Sequence, residues 1–486
     1  MTIKNLKPEL VFDIFDQITK VPRPSKKEGK IRQFLLDFAE KHGIAVKTDE
    51  VGNVVMSKPA TPGHESAPTV IMQSHMDMVC ESNDKSFDFE NTPITTVIDG
   101  DWLRAEGTTL GADNGIGMAA AMAAMVDSSL VHGPLEALFT VDEETGMTGA
   151  NNLGPDMLGG NILINLDSED DAEIFIGCAG GVDTTATFHY NRSVAPTDFH
   201  YFKIDVSKGL GGHSGGDIHL GRANANKLIA RFLFTLGQKH EVSLCEIDGG
   251  NLRNAIARAA HAVFGIHTSK KEDVRIAFNQ YVADIENEYK GIEPTLSLEL
   301  ESVDRPDFCI DSTTTHNLIY SLYCAPHGVV SMSRDLEGLV ETSTNLASVK
   351  MLADNKVLVT TSQRSSVESR KWDIAYQVEA TFALAGAEVT HGDGYPGWQP
   401  NMNSRIMQIA SDAYKNLYGI TPAIKAIHAG LECGLFLTKY PHLDMVSFGP
   451  TLQGVHSPSE RMYIPAVERF WGQLIEILRM VADIKE

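Results

Sequence analysis

The sequence lacks several features that mark whole classes of protein. It contains no run of about 18 apolar residues, so no membrane span is predicted. The six cysteines are scattered and form no Cys-x-x-Cys pair, which argues against a disulfide scaffold and against a thiolate zinc site. Residues 1–7 lack the apolar core of an export signal, so a cytoplasmic location is expected.

Basic charge is also scarce. The chain has 41 Lys and Arg against 64 Asp and Glu, and its formal net charge is −23. Because a polyphosphate partner requires a basic face, nucleic-acid binding is not expected. The hydrophobic content of 43% and the charged content of 22% are typical of a soluble globular protein. A chain of 486 residues is longer than one hydrophobic core usually accommodates, so two or more domains are predicted.

Short apolar runs with β character alternate with helical patterns in the first part of the chain. Two amphipathic helices are predicted within the first 45 residues, and Ser25 is expected to cap the second. Strands are then predicted at residues 53–57, 69–74, 135–141 and 161–166, and a helix of small residues at 115–127. This alternation predicts an α/β domain with a largely parallel sheet and helices on both faces.

The pattern changes after Gly180-Gly181. The middle region has its own predicted strands (201–206, 260–266, 295–300, 348–352, 357–361) and helices (223–236, 271–288, 369–384). Residues 392–397 are predicted to be a linker, followed by a helix at 404–417, a strand at 445–448 and a helix at 466–484. If His456 belongs to the site described next, the chain returns to its first domain. The predicted organisation is therefore a catalytic domain of residues 1–183 and 393–486, with an inserted α+β domain at 184–392.

Acids and histidines follow the apolar runs at the points where strands are predicted to end, or lie in loops. These residues are His75 and Asp77, Asp113, Glu143 and Glu144, Asp167, and His456. Ligands of such sheets gather at the carboxyl ends of the strands. Because Zn²⁺ and Mn²⁺ bind imidazole and carboxylate groups, the pattern predicts metal-assisted hydrolysis.

Every one of these residues also has an ordinary alternative. Taken singly, His75 reads as a structural histidine, Asp113 as a helix N-cap, Asp167 as part of a solvated acidic loop and His456 as a surface loop residue. A metal site is favoured because they occur together in one α/β pattern.

Three carboxylates are given separate roles. Asp77 is predicted to orient His75 through the second imidazole N–H rather than to bind metal, since metal-bound histidines commonly donate to a carboxylate. Glu143 and Glu144 are expected in an extended segment, where neighbouring side chains point to opposite sides. One can then bind metal while the other acts as a general base, although a solvated loop is the usual fate of such an acidic run.

The middle region offers His213 within a glycine-rich segment, residues 211–216. A phosphate loop is a poor interpretation, because no Gly-Lys-Ser/Thr sequence follows. A histidine flanked by glycines suits an exposed imidazole that donates a hydrogen bond to an oxyanion. Without other evidence for a function, Asn254 is interpreted as an asparagine in a turn and Arg364 as an arginine on the surface.

At this level of detail the chain resembles the M20 family of metallopeptidases, and within it the bacterial aminoacyl-histidine dipeptidases (Xaa-His dipeptidases, carnosinase-like). The resemblance extends over essentially the whole length. Its most specific motifs are residues 108–117, 178–181, 212–216, 395–400 and 427–434. It implies a catalytic α/β domain with two zinc ions, for which Mn²⁺ or Co²⁺ substitutes, and an inserted lid domain that mediates a homodimer.

The resemblance also implies roles for individual residues. His75 and Asp167 become ligands of one zinc, Glu144 and His456 ligands of the other, and Asp113 a bridge between them. Asp77 orients His75, and Glu143 is the general base. The substrate-binding residues would be His213, Asn254 and Arg364 on the lid, with Glu432 suggested as a contact for the substrate amino group.

The implied function is hydrolysis of Xaa-His and related dipeptides by a metal-activated water. The main alternative is an enzyme of the same fold with another specificity, namely an N-acyl-amino-acid deacylase, a desuccinylase or a tripeptidase. A metal-dependent binding or scaffold protein is a further alternative, but Glu143 favours an enzyme, because the metal does not need that carboxylate.

Overall fold

The computed structural model describes residues 3–484, apart from the side chain of residue 4, and forms two compact units. The first unit comprises the described residues up to 177, residues 400–426 and those from 431 onward. The second comprises residues 178–399 and 427–430. Residues 393–399 thus belong to the second unit, and Tyr395 and Trp398 pair there with Gly181 and Cys178. The linker predicted at 392–397 is part of a folded body.

The first unit contains two stretches of regular structure. Before the second unit come α1 (Glu9–Ile18), α2 (Gly29–His42), β1 (Ala45–Thr48), β2 (Val54–Lys58), β3 (Val70–His75), β4 (Thr96–Asp99), β5 (Trp102–Ala105), α3 (Ala112–Val126), β6 (Leu135–Thr140), α4 (Glu143–Gly146), α5 (Thr148–Asn152), β7 (Ile162–Asn165) and β8 (Glu173–Cys178).

The second unit carries the middle of the chain. Its elements are β9 (Gly180–His189), β10 (Arg192–Val194), β11 (Phe199–Ser207), α6 (Ala225–Gly237), β12 (Ser243–Gly249), β13 (Ala260–His267), α7 (Lys271–Glu288), β14 (Ser297–Val303), β15 (Phe308–Ile310), α8 (Ser312–Cys324), β16 (Gly328–Met332), β17 (Val340–Leu352), β18 (Lys356–Ser365), α9 (Glu368–Leu384) and β19 (Glu388–His391).

The chain then returns to the first unit. The remaining elements are α10 (Arg405–Tyr418), β20 (Ala423–Ile427), α11 (Glu432–Lys439), β21 (Asp444–Ser447), β22 (Leu452–Gln453), β23 (Arg461–Tyr463) and α12 (Ile464–Ala482). The α/β class that was predicted is confirmed. The sheet of the first unit is mixed rather than largely parallel, since β2 and β8 run antiparallel to their neighbours. None of the helices among the described residues is both long enough and apolar enough to span a membrane.

An eight-stranded sheet organises the first unit, in the order β1-β2-β6-β3-β7-β21-β8-β20. Strand β3 is central, all six of its residues are buried, and it runs parallel to both β6 and β7. Burial on both faces explains why β3 begins with three consecutive apolar residues, 70–72, rather than alternating apolar and polar ones. The register pairs His75 with Thr140 and Gln73 with Asn165, so three strands end at the same edge.

Helix α3 packs against β3 and α1. Of its 15 residues, 11 are Ala, Gly or Met, and 13 are buried. Small side chains allow this helix to lie close to its neighbours, which suits a helix that is apolar on every side. Helix α10 has ordinary capping residues at both ends. The Ser404 side chain accepts a hydrogen bond from the Met407 N–H, and Gly419 ends the helix in a left-handed conformation.

The second unit is built on a nine-stranded antiparallel sheet. Eight strands follow the order β14-β11-β13-β12-β17-β18-β9-β19, and β16 pairs with β17. Helix α6 packs on β11 and β13, and α9 packs on β9. The core includes the aromatic side chains of Phe202, Phe232 and Phe264.

Candidate active site

The parallel strands of the first unit bring the predicted residues to one edge of the sheet. His75 is the last residue of β3, Glu143 and Glu144 follow β6, and Asp167 follows β7. Because β6 and β7 flank β3 in parallel register, their following loops emerge beside His75. This is the edge at which ligands of such sheets bind.

Asp113 lies between two imidazoles. Its Oδ1 is 3.0 Å from Nε2 of His75, and its Oδ2 is 3.1 Å from Nε2 of His456. Each imidazole nitrogen faces one further carboxylate: Nε2 of His75 is 3.4 Å from Asp167 Oδ1, and Nε2 of His456 is 3.1 Å from Glu144 Oε2. The five side chains form two half-sites that share one carboxylate.

Asp113 does not act as a helix cap, which was its alternative interpretation. Gly111, in a left-handed conformation, precedes α3, and no side chain caps the helix there. Asp113 and Asn114 have non-helical backbone angles within the first turn, and the Asp113 carboxylate points to the two histidines instead.

The donor set fits divalent cations. His75, Asp113 and Glu144 each offer a ligand atom, all within 4.8 Å of one another. Oε1 of Glu144 is buried and has no hydrogen-bond partner among the described residues. A buried carboxylate oxygen without a donor is costly, and a cation is the partner that this mixture of imidazole and carboxylate suits.

In the absence of metal, burial and the close approach of carboxylates and imidazoles shift the pKa values of the site residues. Burial raises the pKa of Asp167 to about 6 against the opposing effect of His75. Hydrogen bonds to Asp113 and Glu144 raise the pKa of His456 to about 11. Burial lowers the pKa of His75, but the carboxylates of Asp167 and Asp113 outweigh it and raise the pKa well above its usual value. Protons therefore hold positions that cations would take, and metal binding should release them.

Asp77 is buried beneath His75 and organises two loops. Its Oδ1 is 3.2 Å from Nδ1 of His75, and its two oxygens accept from the N–H groups of Glu143 (3.0 Å) and Glu144 (3.3 Å). Ser25 Oγ donates to the same carboxylate at 2.7 Å. Burial raises the pKa of Asp77, but His75 and these donors outweigh it and bring it down to about 2.

Two local predictions were wrong at this point. Ser25 does not cap α2, which begins at Gly29 without a side-chain cap, because its hydroxyl is engaged by Asp77. Residues Glu143–Gly146 are a short helix, α4, rather than an extended segment. Asp142 adopts a left-handed conformation before it, and the Asp77 carboxylate accepts from the first N–H groups of the helix.

Glu143 lies at the start of α4 among other acids. Burial raises its pKa well above the usual value, His75 opposes this, and Asp167, Glu432 and Glu144 add to the rise. A glutamate with a raised pKa can hold a proton near neutral pH, which a general base must do during turnover.

Glu432, suggested as a contact for the substrate amino group, begins α11 and is only 1% exposed. Its Oε2 accepts from Gln73 Nε2 (2.6 Å) and Thr140 Oγ1 (2.9 Å), and burial raises its pKa to about 8. Both donors lie on the strands that end at the site. This burial favours a supporting position below the strand ends over direct contact with a substrate.

Two buried residues that the sequence did not single out hold the loop of Asp113. Glu460 accepts from four successive N–H groups, those of residues 110–113, at 2.7 to 3.4 Å. Arg23 donates to the carbonyl oxygens of Gly111 and Asp77, the latter at 2.6 Å. No local pattern marks either residue, since both act through main-chain groups far away in the sequence.

A second acidic group, Glu28, Asp77 and Asp142, also has oxygens within 4.8 Å of one another. Its carboxylates accept hydrogen bonds from protein donors: Glu28 from the Lys26 and Asp142 N–H groups, and Asp142 from the hydroxyls of Thr145 and Thr148. These bonds brace the loop of Glu143 and Glu144.

The remaining predicted residues lie in the second unit. His213 is exposed, and its Nδ1 accepts from the N–H groups of Gly215 (3.2 Å) and Gly216 (3.1 Å). The neutral imidazole therefore carries its hydrogen on Nε2, where it can be donated. Although the residue is exposed overall, partial desolvation of its ring, followed by the charge of Arg364, lowers the pKa of His213. His213 and Asn254 both line a cavity of about 540 Å³ in this unit.

Arg364 is not a surface residue, although that was its default interpretation. It lies on β18, is 7% exposed, and donates from Nη1 to the Tyr395 hydroxyl at 2.9 Å. Its Nε has no hydrogen-bond partner among the described residues. A buried guanidinium in this state requires an anion.

Comparisons with known proteins identify the family of the chain and its relatives. The model of the family described as "Peptidase family M20/M25/M40" matches residues 71–478. The cytosol non-specific dipeptidase of Escherichia coli (strain K12) is 42% identical over 480 residues, which is 99% of each chain. The crystal structure of aminoacylhistidine dipeptidase from Vibrio alginolyticus superposes with a TM-score of 0.94 at 42% identity, over 99% of this chain and 98% of that one.

More distant structures share the fold. A tripeptidase from Staphylococcus aureus superposes with a TM-score of 0.58 at 16% identity, over 99% of this chain and all of its own. At this identity the likeness concerns architecture alone.

Proposed function

The chain belongs to peptidase family M20/M25/M40, and from that membership we propose that it is a dipeptidase that hydrolyses Xaa-His and related dipeptides with two bound zinc ions. The names of the E. coli and Vibrio relatives, one a non-specific dipeptidase and the other an aminoacylhistidine dipeptidase, support the substrate class. Mn²⁺ and Co²⁺ are expected to substitute for zinc, since the donor set suits all three.

The observation that carries the proposal is the position of Asp113 between two imidazoles, each of which also faces a second carboxylate. His75 and Asp167 would hold one cation, His456 and Glu144 the other, and Asp113 both. When bound, the two cations would supply Lewis acidity that polarises the scissile carbonyl and acidifies water.

The protein's own residues move the proton. Glu143 would accept a proton from the attacking water and return it to the leaving amine. Its raised pKa, caused by burial among other acids, suits a group that must hold a proton between these steps. Asp77 would keep His75 oriented. Because its carboxylate accepts hydrogen bonds from the backbone N–H groups of Glu143 and Glu144, it would also fix the start of α4 and so the position of Glu143.

The second unit would supply the substrate contacts. The Nε2–H of His213 is available to donate to the oxyanion that forms at the carbonyl, because Nδ1 is already occupied by backbone N–H groups. Arg364 would pair with the C-terminal carboxylate, for which its fork of donors is suited. Asn254 would support the same end of the substrate.

A cytosolic homodimer completes the proposal. The E. coli relative is named as a cytosolic enzyme, and we propose the same compartment. We propose that the dimer forms through the second unit, as the family resemblance implies. Light scattering on the purified protein should give twice the mass of one chain, and a monomer would remove this part of the proposal.

A metal and substrate assay tests the function. The protein is stripped with chelator, reloaded with zinc, and assayed on β-Ala-His, Gly-His, a tripeptide and an N-acetyl amino acid. Two zinc ions per chain and preferential cleavage of the two dipeptides are expected. Faster cleavage of the N-acetyl amino acid or of the tripeptide would instead identify a deacylase or a tripeptidase of the same fold.

A further inference from the structure

The guanidinium of Arg364 has no anionic partner in the second unit. Its one hydrogen bond to a side chain goes to the neutral hydroxyl of Tyr395, and its Nε donates to no atom of the described residues. Burial to 7% exposure removes most of the water that would otherwise solvate the charge. The charge and the free N–H together indicate a binding position for an anion.

Three of the motifs that carry the family resemblance converge on the ring of Tyr395. Gly181 and Tyr395 exchange two backbone hydrogen bonds, of 3.0 and 2.8 Å. A Cβ on Gly181 would lie 2.7 Å from the ring carbon that bears the hydroxyl, and a Cβ on Gly430 would lie 2.8 Å from Cε2. Only glycine fits at either position, so the two residues fix the ring from two directions.

The backbone of Tyr395 is fixed as well. The buried ammonium of Lys371 donates to its carbonyl oxygen at 2.8 Å. The hydroxyl is therefore set in place by the ring contacts, by the main chain and by Arg364. These contacts fix the position of the hydroxyl beside the guanidinium of Arg364.

The hydroxyl of Tyr395 can still donate its hydrogen to a ligand. A tyrosine hydroxyl offers one hydrogen and two acceptor lone pairs, and here one lone pair accepts from Arg364. Burial raises the pKa of Tyr395, so the hydroxyl keeps its hydrogen at neutral pH. A carboxylate accepts hydrogen bonds only, and the adjacent O–H and N–H donors match it.

We propose that Tyr395 is a substrate-binding residue whose hydroxyl, together with the guanidinium of Arg364, holds the C-terminal carboxylate of the substrate. The identity of this ligand rests on the proposed function, whereas the pair itself lies wholly within the second unit. The pair makes the enzyme selective for peptides with a free carboxylate, and Tyr395 contributes to that selectivity separately from the metal-facing residues.

The test compares ligands that differ only in the carboxylate. Binding of L-histidine and of L-histidinamide to the zinc-loaded protein is measured by calorimetry for the wild type, Tyr395→Phe, Arg364→Gln and the double variant. Tyr395→Phe keeps the ring between Gly181 and Gly430. Tyr376→Phe, which removes an exposed hydroxyl on α9 of the same unit, is the matched control.

We expect the wild type to prefer histidine, and Tyr395→Phe to weaken histidine binding roughly 10- to 100-fold with little change for histidinamide, as for loss of a hydrogen bond to a charged group. The double variant should bind histidine no worse than Arg364→Gln, because both residues act on one carboxylate. KM for Gly-His should rise by a similar factor in Tyr395→Phe, with kcat nearly unchanged.

Three results would overturn the proposal: a wild type that binds both ligands equally, a Tyr395→Phe protein that keeps the preference for histidine, or one that loses affinity for both ligands alike. The last result would assign Tyr395 a purely structural role. Turnover of Gly-His by the wild type reports separately on the proposed function, since calorimetry with histidine needs no hydrolysis.

Discussion

Two carboxylates at the candidate centre, those of Asp77 and Glu143, have pKa values shifted in opposite directions because their surroundings differ. Asp77 accepts from two backbone N–H groups and a serine hydroxyl and lies beside His75, which together outweigh burial and bring its pKa to about 2. Glu143 lies among other acids, and burial raises its pKa. One acid is therefore a permanent anion suited to orienting a ligand, and the other is suited to carrying a proton.

Replacing Glu143 by Gln tests this division. The variant should retain zinc, because the candidate ligands are unchanged, and kcat should fall by about 10²- to 10⁴-fold, the range for loss of general acid–base catalysis. Zinc content by mass spectrometry and kcat on Gly-His are the measurements. Glu106→Gln, an exposed change in the same unit, is the control. Turnover close to that of the wild type would remove the general-base role.

His213 is expected to act on the transition state. His213→Ala should lower kcat on Gly-His by about 10²- to 10³-fold, as for removal of one oxyanion donor. His219→Ala changes another exposed histidine a few residues away and should leave kcat unaltered. If the His213 variant changed KM and not kcat, the imidazole would contact the substrate without stabilising the oxyanion.

At the scale of elements, the site depends on loops held by distant buried groups. Glu460, in the loop before β23, accepts from every N–H of residues 110–113, and Arg23, between α1 and α2, donates to the carbonyl oxygen of Gly111. The position of Asp113 thus depends on two residues that are distant in the sequence, Arg23 before it and Glu460 after it.

Glu460→Gln should therefore weaken metal binding without removing a candidate ligand. The amide offers one acceptor oxygen where the carboxylate offers two, so some N–H groups of the loop lose their partner. We expect zinc affinity to fall by about 10- to 100-fold, the usual effect of losing a group that orients ligands. Competition with a fluorescent chelator measures this, with exposed Glu468→Gln on α12 as control. Unchanged affinity would show that the loop holds its shape without Glu460.

The sequence predicted those elements whose signal is local. The apolar run of β3, the small-residue helix α3 and the acids after β6 and β7 all follow from periodicity and composition within a short window. Since parallel strands place their carboxyl ends together, the convergence of His75, Glu144 and Asp167 followed as well. Strands β9 and β19 were among those missed, and they pair with each other across a large part of the chain.

Other features depend on tertiary partners and have no local signature. Ser25 looks like a helix cap until Asp77 takes its hydroxyl. The short helix α4 forms where an extended segment was expected, because the Asp77 carboxylate accepts its first N–H groups. Tyr395 lay in a segment interpreted as a linker, and its pairing with Gly181 becomes visible only in the folded second unit.

At the scale of the whole molecule, the acidic centre couples stability to pH and metal. In the metal-free protein the pKa of Asp167 is raised to about 6 by burial, those of Glu169 and Glu432 to about 8, also by burial, and that of His456 to about 11 by its carboxylate partners. Each of these groups keeps a proton in the folded state after the unfolded chain has lost it. Asp77, with a lowered pKa, acts in the opposite sense only in acid. His327 and His428, whose pKa values burial lowers to about 4 and about 3, act in the opposite sense up to about pH 6.5.

The stripped protein should therefore lose stability as pH rises from about 7 to about 8, because above the ordinary pKa of histidine the folded state binds more protons than the unfolded state. The zinc-loaded protein should show a smaller decline, since cations replace the protons of the ligand residues Asp167 and His456. Scanning calorimetry of both forms at several pH values measures the two trends. A melting temperature of the stripped protein that rose over the same window would contradict the assignment of these buried protons.

The most direct test of the two-cation centre is anomalous diffraction at the zinc edge from crystals of the zinc-loaded protein. The account predicts two peaks per chain on either side of the Asp113 carboxylate. One should lie about 2.0–2.2 Å from the imidazole of His75 and the carboxylate of Asp167, and the other at the same range from His456 and Glu144. A single peak, or peaks away from Asp113, would contradict it.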